Sequence, residues 1–225
     1  MSKDKRRERK LDEDDARRGV IETALAMSRS GLSPGRSGNV SCRFDDGMLI
    51  TPTGLAYEEI RPRDVVYVAP DGSVPGKQRK PSSEWHFHLA AYKARPDMHA
   101  VVHTHSMHAV VLACAGKPIP AFHYMVAVAG GADILVVPYA TFGSEALAQH
   151  VAQGLAEHNA CLLAHHGAIA MGETLTSALE LAAEVEVLSE QYYKVLTLGA
   201  PALLPADEMK VVLEKFKSYG QKAQD

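Results

Sequence analysis

Cysteine is scarce in this chain. There are three, Cys42, Cys114 and Cys161, an odd number without CxxC spacing, which argues against a disulfide framework and fits a reducing, cytoplasmic setting. No apolar run approaches the roughly 20 residues needed to cross a bilayer, so no membrane span is expected. The opening MSKDKRRERK has no apolar stretch behind its basic residues, so no secretory leader is expected. Positive charge is not in excess either: the formal net charge is −3 with histidine neutral, which gives no global attraction to nucleic acid. Neither GxxxxGK[ST] nor GxGxxG occurs, which disfavours a P-loop ATPase and a Rossmann dehydrogenase. The 225 residues, 46% hydrophobic and 23% charged, suit a globular domain with a substantial core and exclude disorder.

Histidine is abundant. Eleven are present, seven of them between His86 and His123. The middle third therefore points to a metal or acid–base site.

The organisation reads as one α/β domain with a mixed sheet and surrounding helices. Residues 1–13 form a charged N-terminal extension and 14–225 the domain. A helix is expected from about Asp14 to Ser30, with Val20, Ile21, Ala24, Leu25 and Met27 as its apolar stripe. Strands are expected at Val40–Arg43 and Met48–Thr51, joined by the turn Asp45-Asp46-Gly47, and at Val65–Ala69, Ala100–His105 and Ile134–Tyr139. Cys161–Met171 reads as a strand pair, or a long strand broken at Gly167. Helices are expected from Ser82 or Ser83 to Arg95, then at Met107–Ala115, Ser144–His158, Thr174–Leu198 and Ala206–Tyr219.

The sharpest local signal is His103-Thr104-His105. Residues i and i+2 of a strand share a face, so both imidazoles can turn to one divalent ion. His165 and His166 follow an apolar strand; adjacent strand residues face opposite ways, so one of them should join a site, and periodicity does not say which. Glu84 lies at a helix start, where the dipole favours a carboxylate. His88, four residues on, shares its face and is a rival ligand. Three nitrogens and one carboxylate describe a catalytic zinc-type site, whereas a closed structural site would favour cysteine. Three turns, Gly38-Asn39, Thr53-Gly54 and Ser82-Ser83, can aim backbone N–H groups at an anion, the third with a helix N-terminus behind it.

In their order, Gly38-Asn39-Val40-Ser41, Thr51-Pro52-Thr53-Gly54, Pro81-Ser82-Ser83-Glu84, the His103/His105 pair and His165-His166-Gly167 resemble the class II aldolase/adducin family, over about residues 14–220. Asp46–Ile50, Pro138–Gly143 and Val211–Gly220 look most like its L-fuculose-1-phosphate branch. The resemblance implies a mainly antiparallel sheet flanked by helices. It implies one zinc ion per subunit, or manganese or cobalt, held by His103, His105, His166 and Glu84, with Glu84 doubling as base. It implies phosphate binding by Gly38, Asn39, Thr53, Gly54, Ser82 and Ser83, and a proton donated by Tyr124 to the departing aldehyde oxygen. It also implies a homotetramer with sites between subunits and Tyr219 in a closing C-terminal tail. The implied reaction is retro-aldol cleavage of a ketose 1-phosphate, L-fuculose 1-phosphate foremost, to dihydroxyacetone phosphate and an aldehyde (L-lactaldehyde) through a metal-stabilised enediolate. Aldolases of 5-deoxyribulose or 5-methylthioribulose 1-phosphate would use the same machinery. Family epimerases, dehydratases, decarboxylases and non-catalytic adducin-like modules are the alternatives. Arg36 departs from the pattern, standing where a small hydroxyl residue is expected, and suggests an added phosphate contact.

Overall fold

The computed structural model describes residues 3–217, with side chains from Asp12 onward. Its elements in chain order are α1 (Lys3–Arg29), β1 (Asn39–Phe44), β2 (Gly47–Ile50), β3 (Val66–Val68), α2 (Trp85–Ala94), β4 (Ala100–Thr104), α3 (Met107–Cys114), β5 (Val136–Val137), α4 (Glu145–Leu155), β6 (Ala160–Leu163), β7 (Gly167–Gly172), α5 (Leu175–Leu198) and α6 (Ala206–Phe216). The seven strands form one sheet in the order β3-β2-β1-β4-β7-β6-β5. Every pairing is antiparallel except the parallel β5–β6 pair. The mixed, mainly antiparallel sheet with flanking helices is the expected fold class.

Strand alternation sorts the side chains into two cores. Val40, Leu49, Val102, Leu162 and Ala170 face one layer, where Val20, Ala24 and Met27 of α1, Leu112 of α3, Leu188 of α5 and Met209 of α6 are buried with them. Ile50, Val101, Leu163 and Ile169 face the other, packed on Phe87 of α2 and on Leu147 and Val151 of α4. Local signals end the helices as expected: Ser144 accepts from the Leu147 N–H at 3.2 Å to start α4, and Thr174 and Ser177 form a capping box on α5.

Several boundaries differ from the sequence expectation, three of them with a readable cause. The helix expected from Asp14 begins at Lys3: the preceding charged run has no apolar period to announce it. The strand expected over Ile134–Tyr139 is two residues long, because Ile134 leaves the sheet to bridge Ile119 across the adjoining loops. The helix expected to begin after Ser82 or Ser83 begins at Trp85, with Glu84 at the N-cap. No helix among the described residues is long and apolar enough to cross a membrane.

Candidate metal centre

The centre lies at the end of β4, the middle strand. His103 is fully buried, and its ring meets Phe87 of α2 edge-on at 5.1 Å. Its Nδ1 is 2.9 Å from the Ala168 carbonyl of the neighbouring strand. A carbonyl only accepts, so Nδ1 carries the proton and Nε2 presents a lone pair. His105 follows just past the strand end on the same side. Its Nε2 is 3.0 Å from that of His103.

His166 comes from the β6–β7 turn. His165 adopts a left-handed backbone, φ 56°, so strand alternation lapses there and both imidazoles border the same cleft. His166 turns to Glu84, its Nε2 2.9 Å from Oε1. His165 instead meets Tyr139 edge-on at 6.0 Å. Gly167 allows this close crossing: a Cβ there would lie 2.2 Å from the Thr104 carbonyl oxygen and 3.1 Å from the His105 ring.

Glu84 enters from the N-terminus of α2, where its side chain caps nothing. Its Oε2 lies 3.3 Å from His103 Nε2 and accepts from the Asn39 amide at 2.8 Å. Asn39 is opposite His103 in the β1–β4 register, so the two side chains reach Glu84 together. Burial alone would raise the Glu84 pKa, but His103, His166 and the Asn39 amide outweigh it and hold the carboxyl well below its usual range. Burial pushes His103 down to about 3, and burial, then His166, lowers His105. At neutral pH His103 and His105 are therefore neutral imidazoles beside a carboxylate, with the His166 ring completing the set.

The four ligand atoms all lie within 4.8 Å of one another. At 3.0 Å the two ring nitrogens of His103 and His105 hydrogen-bond when His105 carries its proton on Nε2; with the proton on Nδ1 instead, both turn a lone pair to the same point, which suits the donor chemistry of a divalent metal. The residues present therefore fit such an ion. His88, the rival for Glu84's place, points into the interior, 2.5 Å from Asn39 Oδ1; the register that brings Asn39 there is not visible in a local reading of α2.

The expected anion loops line the same cleft of about 340 Å³: Gly38 and Asn39, Thr53 and Gly54, Ser82 and Ser83. Their parts differ in detail. The Gly38 N–H is spent on Ser33 Oγ at 2.6 Å and its carbonyl on the Tyr57 hydroxyl at 2.6 Å, so Gly38 serves by size: a Cβ would lie 2.8 Å from the His103 carbonyl oxygen. The Thr53 N–H is bonded to the Lys80 carbonyl at 3.2 Å, leaving its hydroxyl for the cleft. Ser82 and Ser83 precede the N-cap of α2, whose N-terminal dipole favours an anion. Arg36 also lines the cleft, donating to the Gly54 carbonyl at 3.1 Å. Tyr139, Ala140 and Phe142 form an apolar rim that sequence reasoning passed over.

Tyr124 is placed elsewhere in the single chain. It is half exposed and stacks on Phe216 at 6.4 Å, in an apolar groove shared with Phe122, Leu204 and Val212. Tyr219 lies outside the described residues.

Residues 18–193 match the family model described as Class II Aldolase and Adducin N-terminal domain. The chain is 53% identical over 208 residues to a 5-methylthioribulose-1-phosphate/5-deoxyribulose-1-phosphate aldolase of Rhodospirillum rubrum, covering 92% of this chain and 94% of that one. It is 52% identical over 208 residues to an L-fuculose phosphate aldolase of Haemophilus influenzae, covering 92% and 95%. Among solved structures, an L-fuculose 1-phosphate aldolase superposes with a TM-score of 0.86 at 39% identity, covering 90% of this chain and 96% of that one. The chain belongs to the class II aldolase/adducin family and is a class II aldolase.

Proposed function

We propose that this chain cleaves a ketose 1-phosphate to dihydroxyacetone phosphate and a short aldehyde, using one zinc-type divalent ion held by Glu84, His103, His105 and His166. The observation that carries this reading is that the buried ligand set opens onto the same cleft as the three anion loops. The ion, when bound, supplies Lewis-acid stabilisation of the negative charge that develops as the C3–C4 bond breaks. Thr53, Ser82, Ser83 and the start of α2 bind the 1-phosphate, with Asn39 and Gly54 beside them and Gly38 admitting the close approach. Glu84 holds the proton that moves at C3. The cleft's depth keeps that carboxylate out of bulk water.

The substrate class we favour is a ketose 1-phosphate whose terminal carbon is deoxy or thioether-substituted. L-fuculose 1-phosphate, the foremost candidate, and 5-deoxyribulose and 5-methylthioribulose 1-phosphates share an apolar terminus, and relatives carrying both kinds of name match this chain comparably. The apolar rim of Tyr139, Ala140 and Phe142 suits such an end. Tyr124, half exposed and away from this cleft, would handle the proton on the aldehyde oxygen in a neighbouring subunit of a homotetramer, and Tyr219 would close over substrate from the C-terminal tail. A coupled assay for dihydroxyacetone phosphate across these three substrates, with and without chelator, tests the reading. No turnover of any of them by the metal-loaded protein would overturn it.

A further inference from the structure

Behind Glu84 a line of buried polar side chains runs away from the cleft, between β1 and α2. Glu84, His88 and Tyr92 are spaced i, i+4 and i+8 on α2, a rise of about 6 Å per step. Asn39 and Ser41 are spaced i, i+2 on β1, about 6.6 Å apart. Because the two repeats nearly match, the side chains interleave. Asn39 Nδ2 is 2.8 Å from Glu84 Oε2, and His88 Nε2 is 2.5 Å from Asn39 Oδ1. Ser41 Oγ is 2.7 Å from His88 Nδ1 and 2.8 Å from the Tyr92 hydroxyl. All five residues are at most 5% exposed.

Each proton in this line can be assigned by working outward from Glu84. The carboxylate only accepts, so Asn39 must turn its NH2 to it and its carbonyl to His88. His88 must then carry its proton on Nε2, leaving Nδ1 to accept from Ser41. The Ser41 oxygen in turn accepts from Tyr92. Every donor points toward Glu84, and a fully satisfied buried chain of this kind has one low-energy arrangement. Burial keeps His88 neutral, so Nδ1 is free to accept.

We infer that His88 is a positioning residue that acts through Asn39, holding the amide of Asn39 the right way round so that its NH2 rather than its carbonyl meets Glu84. Were the amide to flip, a carbonyl would face the carboxylate, and Glu84 would be displaced from the ligand set. The inference deepens the aldolase reading and rests on it for its kinetic effects only.

The test uses the full-length protein in three measurements. Long-range 1H–15N spectra of histidine-labelled protein should show the His88 proton on Nε2; a proton on Nδ1 would overturn the assignment. His88→Phe should weaken zinc binding, measured by chelator competition, and lower kcat, each by about tenfold or more, as loss of a partner behind a ligand does, with KM within about twofold of wild type. His88→Gln, whose amide can donate from nearly the Nε2 position, should recover most of both losses. In an Asn39→Ala background, His88→Phe should add little, because its route is already cut. Wild-type zinc affinity in His88→Phe, no recovery in a stably folded His88→Gln, or additive losses in the double variant would each overturn the role. If wild type cleaves no ketose 1-phosphate, the functional reading fails alone, since the spectra and zinc affinities still decide the role of His88.

Discussion

Glu84 Oε1 stands 2.9 Å from His166 Nε2, a contact between the first turn of α2 and the β6–β7 turn that closes the ligand set. In the proposed mechanism Glu84 is shared between holding the ion and moving a proton. Replacing it with Gln keeps the shape and one weak oxygen donor but removes the charge and the base. Glu84→Gln should lower kcat by about 10²–10³, within the range of lost general acid–base catalysis, while metal analysis at saturating zinc still finds the site substantially filled. Full activity in this variant would take the base role from Glu84.

Removal of metal should abolish turnover, and readdition of zinc, manganese or cobalt should restore it to differing extents. The apo protein should also melt lower, because an ion that binds only the folded state stabilises it by about 2.7 kcal/mol at a hundredfold excess over its Kd. Calorimetry with and without chelator reads this directly; an unchanged Tm together with unchanged activity would contradict a metal centre at this place.

Among the described residues, Arg36 is the one Lys or Arg that lines the cleft. It bridges two anion loops through the Gly54 carbonyl. Arg36→Ala should raise KM for a ketose 1-phosphate about three- to tenfold, less than a buried charged hydrogen bond would because the side chain is exposed, with kcat little altered. An unchanged KM would exclude a phosphate contact.

Gly167→Ala places a Cβ 2.2 Å from the Thr104 carbonyl oxygen. The β4–β7 pair must then part at the strand ends that carry His105 and His166. We expect a loss of about 1–3 kcal/mol in urea unfolding, the usual cost of overpacking, with weakened zinc binding alongside. A variant as stable as wild type with full zinc affinity would show that the turn can yield.

Burial depresses the His88 pKa from 6.5 to about 3, with Glu84 opposing weakly. The unfolded chain therefore binds a proton below about pH 6.5 that the folded chain refuses. Stability that is present above that pH is lost progressively as pH falls toward 3, by up to about 1.4 kcal/mol per pH unit for this one group. Urea midpoints at pH 7 and pH 5 should differ less in His88→Phe than in wild type; equal slopes would show that His88 titrates normally in the fold.

What could be read from the sequence follows the range of the rules. His103 and His105 share a face because strand alternation is local, and the apolar stripe of Val20, Ala24 and Met27 shows α1 for the same reason. His165 and His166 stayed undecided because alternation stops at a left-handed residue, and nothing in the residues themselves marks His165 as one. Glu84 and His88 lie on a single helical stripe; Asn39, opposite His103 in a pairing that joins distant segments, decides between them. The i, i+4 step from Glu84 to His88 is legible in the sequence, yet only the fold shows that Tyr92 extends it and that Asn39 and Ser41 of β1 interleave with it. Tyr124 is not brought to the cleft within one chain, so no local or single-chain rule could have assigned it.

Because β1, β4 and β7 sit side by side although they come from early, middle and late parts of the chain, the four proposed ligands meet only once these distant segments have paired. A growing polypeptide that ends before Gly167 holds only loose histidines with ordinary avidity for zinc. On the proposed reading, metal capture would follow the closing of the sheet instead of seeding it, in contrast to small finger domains that collapse around their ion.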